Sequence, residues 1–136
     1  MANAIYPAWR SALMQASSNS SLGGTVKAAL VDTGTYTYSS SHDFYDDVSA
    51  AVVGTPQTIG SKTYTNGVFD GADVTYTALS GSTVEAIVIY IDTGVAGTSR
   101  LVSYQDTGVT GLPLTPNGGN VTIAWDASGI FRLGSA

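Results

Sequence analysis

The sequence predicts an all-β protein, an antiparallel β-sandwich or barrel with a short N-terminal helical arm. Three observations carry this. Short stretches alternate at the period of two that a half-buried strand requires, as Val74, Tyr76 and Ala78 do against Asp73, Thr75 and Thr77. Turn-forming dipeptides such as Asn66-Gly67 and Asp70-Gly71 separate those stretches. Charged residues make up only 11 % of the chain, and Thr, Ser, Gly, Val and Ala dominate, a composition of strands and turns. The predicted organisation is an N-terminal arm and linker over residues 1–24 and a β-sandwich body over 25–136.

Ile5, Trp9, Ala12, Leu13 and Ala16 recur at helical spacing, and Pro7 is acceptable in a first turn, so a short amphipathic helix is expected over 7–16. Ser17 to Gly24 is polar and ends in glycine, which predicts a flexible joint. Thr25 to Asp32 is an apolar strand closed by Asp32-Thr33-Gly34, and Tyr36 to Ser41 continues as an extended piece. His42 to Ala51 breaks the pattern, with Asp43 placed to cap one helical turn. Gly54-Thr55-Pro56 ends that segment, and weak strands follow near 57–60 and 62–65.

Asp73 to Leu79 is a half-buried strand. Val84 to Ile91 is the strongest element, with Ile87, Ile89 and Ile91 on one face and Val84, Ala86, Val88 and Tyr90 on the other. A strand apolar on both faces belongs at the centre of the molecule. Asp92-Thr93-Gly94 turns the chain into Ser99 to Asp106, its expected antiparallel partner. Asn120 to Trp125 and Ile130 to Leu133 form the final pair, joined at Asp126-Ala127-Ser128-Gly129. Gly134-Ser135-Ala136 is left out of the fold reasoning.

The chemistry available is sparse: one histidine, no cysteine, and Glu85 as the sole glutamate among 136 residues. Without cysteine there are no disulfides and no thiolate zinc sites. The net charge is −5, and the basic residues Arg10, Lys27, Lys62, Arg100 and Arg132 are scattered, so no strip matches a phosphate backbone and no nucleic-acid partner is expected. No run approaches the ~18 apolar residues of a membrane span, and Met1 to Gln15 lacks the features of a secretory signal. The expectation is a soluble protein made in the cytoplasm, with no membrane partner.

Candidate sites are few. His42, Asp43, Asp46 and Asp47 are the cluster closest to ligand chemistry, but the calcium-loop spacing is missing and a solvated acidic turn explains them better. Asp-Thr-Gly occurs at Asp32, Asp92 and Asp106, and the same tripeptide carries the catalytic carboxylates of aspartic proteases. The accompanying glycine-bearing apolar sequences are absent, and carboxylates that bond their own turns account for every copy. Tyr36 and Tyr38, in a hydroxyl-rich stretch, are expected to be exposed, whereas Tyr90 and Trp125 are expected in the core. Asn19-Ser20-Ser21 and Asn120-Val121-Thr122 match the glycosylation sequon. No catalytic, cofactor or metal residues are assigned.

The segments Val26-Lys27-Ala28-Ala29-Leu30-Val31-Asp32-Thr33, Gly67-Val68-Phe69-Asp70-Gly71-Ala72-Asp73-Val74-Thr75, Glu85-Ala86-Ile87-Val88-Ile89-Tyr90, and the ending from Leu112 to Trp125 followed by Gly129-Ile130-Phe131-Arg132-Leu133 form a recognisable string. It resembles small virion structural proteins encoded among the head and tail genes of tailed bacteriophages, over nearly the whole chain from Asn3 to Leu133. Within that group, capsid decoration (cement) subunits fit best. The resemblance implies a non-enzymatic virion component that stabilises the head shell against DNA pressure, with the major capsid protein or other virion proteins as partners, made in the bacterial host's cytoplasm. A homo-oligomer is expected, with a trimer preferred, because lattice sites favour symmetric assemblies. The apolar stripe of Ile5, Tyr6, Trp9 and Leu13 is the candidate partner interface, with folding back onto the chain's own sandwich as the alternative. A tail or head–tail component, or a carbohydrate-binding module or adhesin, are the other readings.

Overall fold

The computed structural model describes residues 3–133, so the Gly-Ser-Ala ending lies outside the described residues. The strongest predicted strand is the hub. Strand β6 (Ala86–Ile91) is buried along its entire length and occupies the middle of a five-stranded antiparallel sheet. On one side it pairs with β2 (Val26–Val31), which in turn carries the edge strand β3 (Val52–Thr58). On the other it pairs with β7 (Arg100–Gln105), as expected, and β7 carries the short edge strand β1 (Ala4–Ile5).

Alternation along these strands sends side chains to two cores. Val26, Ala28, Leu30, Ile87, Ile89, Ile91 and Val102 face one side. There the sheet is covered by two ribbons, β4 (Val68–Phe69) with β9 (Phe131–Arg132) and β5 (Val74–Tyr76) with β8 (Val121–Ile123). Phe69, Val74, Tyr76, Ile123 and Ile130 supply the covering side chains. Ala29, Val31, Ala86, Val88, Tyr90, Leu101 and Tyr104 face the opposite side, where Tyr6, Tyr36, Val48 and Ala51 cover them. The result is an all-β antiparallel fold with one short N-terminal helix, α1 (Pro7–Met14).

Several local expectations are corrected. The last two strands do not pair with each other: β8 lies against β5 and β9 against β4, because each carries its apolar residues to a separate ribbon over the isoleucine face. The chain does not break at Gly54-Thr55-Pro56; those residues form a bulge in β3 opposite Ala29, between the pairs Ala28–Gln57 and Leu30–Val53. Gly54 takes φ +75 there, and Pro56 is tolerated because β3 is an edge strand with no neighbour beyond it. The segment 36–41 is not a strand. Val84, placed by its spacing with Ala86, turns instead toward the isoleucine core. Asn66-Gly67 does make the predicted tight turn, with both residues at positive φ. Gly71 serves a different purpose from turning: an added Cβ there would strike Ile59 and the Gly60 carbonyl.

The N-terminal segment, expected as an arm on a flexible joint, is the sealed edge of the sheet. Ala4 and Ile5 pair with Tyr104 and Ser103, and Tyr6 N–H continues the ladder to the Val102 carbonyl at 2.9 Å. The rest of the β7 edge is closed by the 43–45 segment, with Leu101 N–H on the Asp43 carbonyl and Tyr45 N–H on the Ser99 carbonyl. The 17–24 stretch is stitched down as well. Asn19 donates to the Ile91 and Thr98 carbonyls, Arg100 to Ser18, and Lys62 to Leu22 and Gly24. Short polar residues there leave main-chain carbonyls within reach of donors on the body, so composition alone does not make the joint mobile.

Candidate functional site

The predicted interface stripe divides in two. Tyr6 and Trp9 are 0 % and 1 % exposed and belong to the chain's own cores, one on each face of the sheet. The expectation that they reach out to a partner is therefore corrected for the free chain, where the fold-back alternative holds. The Tyr6 hydroxyl meets that of Tyr36 at 2.8 Å, and the Trp9 indole N–H donates to the Ser20 carbonyl at 2.8 Å while its ring lies edge-on to Phe131. Each polar tip is satisfied, as burial of such groups demands. Ile5 and Leu13 are only partly buried against the core. Leu13 lines an apolar groove with Trp9, Leu22, Tyr64 and Leu133, and the next residue of α1, Met14, is 82 % exposed.

The acidic turn is structural. Asp47 Oδ2 accepts the Asp43 and Phe44 amides and so closes the turn onto its own backbone, while His42 Nδ1 is bonded to the Tyr36 hydroxyl at 2.8 Å. Among the described residues no group of His, Cys, Asp and Glu side chains is placed to hold a metal ion. Asp32 and Asp92 each accept the amide of the glycine two residues on, at 2.8 and 3.0 Å, the self-bonded turns expected of them. They follow antiparallel neighbours, so they lie at opposite ends of the sheet and cannot act as a dyad. Asp92 is paired with Lys27 at 3.1 Å; partial burial raises its pKa, but the Gly94 amide and Lys27 outweigh that and hold it below the ordinary value. The sequon asparagines also do structural work: Asn19 as above, and Asn120 by accepting the Ala78 amide.

The same antiparallel order brings three separate strand ends together at the other pole. Asp32 and Thr33 follow β2, Glu85 precedes β6, and Tyr104 to Asp106 end β7. With the 36–38 loop they line an open groove of about 360 Å³ formed by Thr33, Tyr36, Thr37, Tyr38, Glu85, Tyr104, Asp106 and Pro113. Tyr36 is 5 % exposed, which corrects the expectation that it projects to solvent; Tyr38 is half-buried, tilted against Tyr6 at 5.1 Å and Tyr104 at 5.5 Å. Burial pushes the Tyr104 hydroxyl pKa up, and the charge of Asp106 pushes it further. Glu85 Oε1 accepts both the Thr33 amide and its hydroxyl, at 2.9 and 3.1 Å.

Sequence reading missed this groove. Thr33 and Asp106 looked like turn residues, and Glu85 only an interruption in a strand. The available signal was the expected antiparallel pairing, which puts the end of one strand beside the start of the next. Trp125, expected in the core, is half-buried and donates to the Ala72 carbonyl at 2.9 Å. No family model matches the chain, and no curated protein matches it.

Proposed function

We propose that this protein is a non-enzymatic structural subunit of a tailed-phage particle, a decoration subunit on the head shell that works as a homo-oligomer, with a trimer preferred. The reading rests on the resemblance that runs from Asn3 to Leu133, and one structural observation supports it: α1 borders an open apolar groove through Trp9 and Leu13, and its last residue, Met14, is 82 % exposed. An exposed large apolar side chain and an unfilled apolar groove on one short helix suit a subunit that meets a neighbour through that helix. The carboxylates fit the same reading. Asp32, Asp47, Asp70, Asp73, Glu85, Asp92 and Asp126 all accept backbone amides and are spent on holding loops.

Copy number in purified particles tests the reading. A count that matches the lattice sites of the shell supports decoration; a count that matches one tail, or absence from the particle, overturns it. Met14→Lys tests the surface. An exposed site should change monomer stability by no more than about 0.5 kcal/mol, while oligomerisation or particle binding, followed by light scattering and co-sedimentation, weakens. Unchanged assembly removes this face from the interface.

A further inference from the structure

We infer that the cleft between the outer edges of β1 and β9 takes an extended segment of a partner protein, held by its main chain as an added strand. The inference does not depend on the virion reading. It begins with the way each edge points. In an antiparallel ladder, successive residues turn their N–H and C=O alternately toward and away from the neighbouring strand. Tyr6 N–H bonds the Val102 carbonyl, so Tyr6 and Ala4 turn toward β7, and the N–H and C=O of Ile5 turn away from it. Leu133 N–H bonds the Gly67 carbonyl, so Leu133 and Phe131 turn toward β4, and the N–H and C=O of Arg132 turn away. Among the described residues neither Ile5 nor Arg132 has a partner for these groups.

Both edges border one opening. Ile5, Ser103, Gln105, Ile130, Phe131 and Arg132 line a cleft of about 240 Å³, and the last four also line a second of about 290 Å³. Gln105 shows what this space takes. It is 7 % exposed, and its carboxamide is a peptide group in miniature. Nε2 donates to the Ile130 carbonyl at 2.9 Å, as the N–H of a neighbouring strand would, while nothing among the described residues donates to Oε1. No buried side-chain oxygen or nitrogen lacks a partner among the described residues, so Oε1 opens on the cleft instead of the core. The lining therefore presents main-chain N–H donors and carbonyl acceptors together. An anion leaves the carbonyls without donors, and a cation leaves the N–H groups without acceptors; a polypeptide backbone satisfies both. Ile5, Ile130 and Phe131 supply apolar surface, which suits an apolar side chain on the inward face of the added strand and not the hydroxyls of a sugar.

The test is an NMR titration of the full chain with a blocked hexapeptide of alternating Thr and Val. Beside it run two analogues, one N-methylated at the Thr residues and one at the Val residues, and a neutral oligosaccharide. Saturable shifts are expected at Ile5, Gln105 and Arg132, and hydrogen exchange of the Ile5 and Arg132 amides should slow about tenfold on binding. Methylation of either set should weaken binding about tenfold, because a strand between two edges uses both sets of N–H groups. Arg132→Pro removes the donor that faces the cleft and spares the β4–β9 ladder, so it should weaken binding about tenfold with melting temperature retained. Arg132→Ala keeps the amide and should bind as before. Undiminished binding of either methylated peptide, equal losses in Arg132→Ala and Arg132→Pro, binding of the oligosaccharide instead, or no saturable shift would each overturn the inference. So would slowed exchange at Ile5 and Arg132 that grows with the concentration of the chain alone, which assigns the edge to a second copy.

Discussion

Trp9 is 1 % exposed, packed edge-on to Phe131 and bonded through its indole to Ser20. Trp9→Ala removes that contact and leaves a cavity, so it should cost about 3–5 kcal/mol in urea unfolding. A loss below about 1 kcal/mol would mean that the helix is not part of the core. Tyr36→Phe probes a subtler dependence. Tyr6 is 0 % exposed and the partner of its hydroxyl is Tyr36, so the mutation leaves a buried donor unsatisfied. The expected cost is about 1–3 kcal/mol, and Tyr6→Phe in the same background should recover part of it. If the double variant is no more stable than Tyr36→Phe alone, the hydroxyl pair is not what holds the loop. Both residues show where sequence reading stops. The stripe of Ile5, Tyr6, Trp9 and Leu13 was visible from spacing, but spacing cannot say whether an apolar face meets its own sheet or another molecule.

At the level of elements, α1 shows how a legible signal can still misplace a boundary. The periodicity ran to Ala16, yet the helix ends at Met14, because Ala16 takes φ 52 and the Ala16 and Ser17 amides return to the Leu13 and Ala12 carbonyls. That bonding is a Schellman stop, and it normally uses glycine. An alanine in the left-handed region carries strain of about 1–2 kcal/mol. Ala16→Gly should therefore raise stability by about 1 kcal/mol, read as a shift of the urea midpoint with unchanged slope. A destabilised variant would mean that the alanine methyl makes contacts worth more than its strain. The strands β2, β5, β6 and β7 were legible because burial on one or both faces writes a period into the sequence. The edge strand β3 was not, since its bulge and Pro56 carry the marks of a turn. The pairing of β4 with β9 and β5 with β8 was hidden because those ribbons are too short to specify partners without the sheet beneath them.

The whole molecule has little charge to titrate near neutrality and much aromatic hydroxyl hidden from water. Burial raises the pKa of Tyr6, Tyr36, Tyr38, Tyr45, Tyr76, Tyr90 and Tyr104 above the ordinary phenol value. Tyr6 and Tyr76 are shifted furthest, and Tyr76 lies at 1 % exposure with its hydroxyl on the Ala28 carbonyl at 2.7 Å. The direction fixes the pH window. These phenols stay neutral in the folded state, whereas the unfolded chain ionises at about pH 10. Their contribution is thus fully present below that value and is lost as pH rises above it, because the unfolded state alone gives up its protons. Stability measured in urea should be flat from neutral pH to about pH 9 with respect to these groups and fall steeply beyond about pH 10. Tyrosinate absorbance from the buried rings and the loss of near-ultraviolet circular dichroism should then rise together, since Tyr6, Tyr76 and Tyr90, at 0 %, 1 % and 3 % exposure, ionise only as the two cores open. If most of the tyrosinate signal instead appeared near the ordinary phenol pKa with the dichroism intact, the rings would be in contact with water, and the packing of Tyr6, Tyr76 and Tyr90 between sheet, ribbons and N-terminal edge would be wrong.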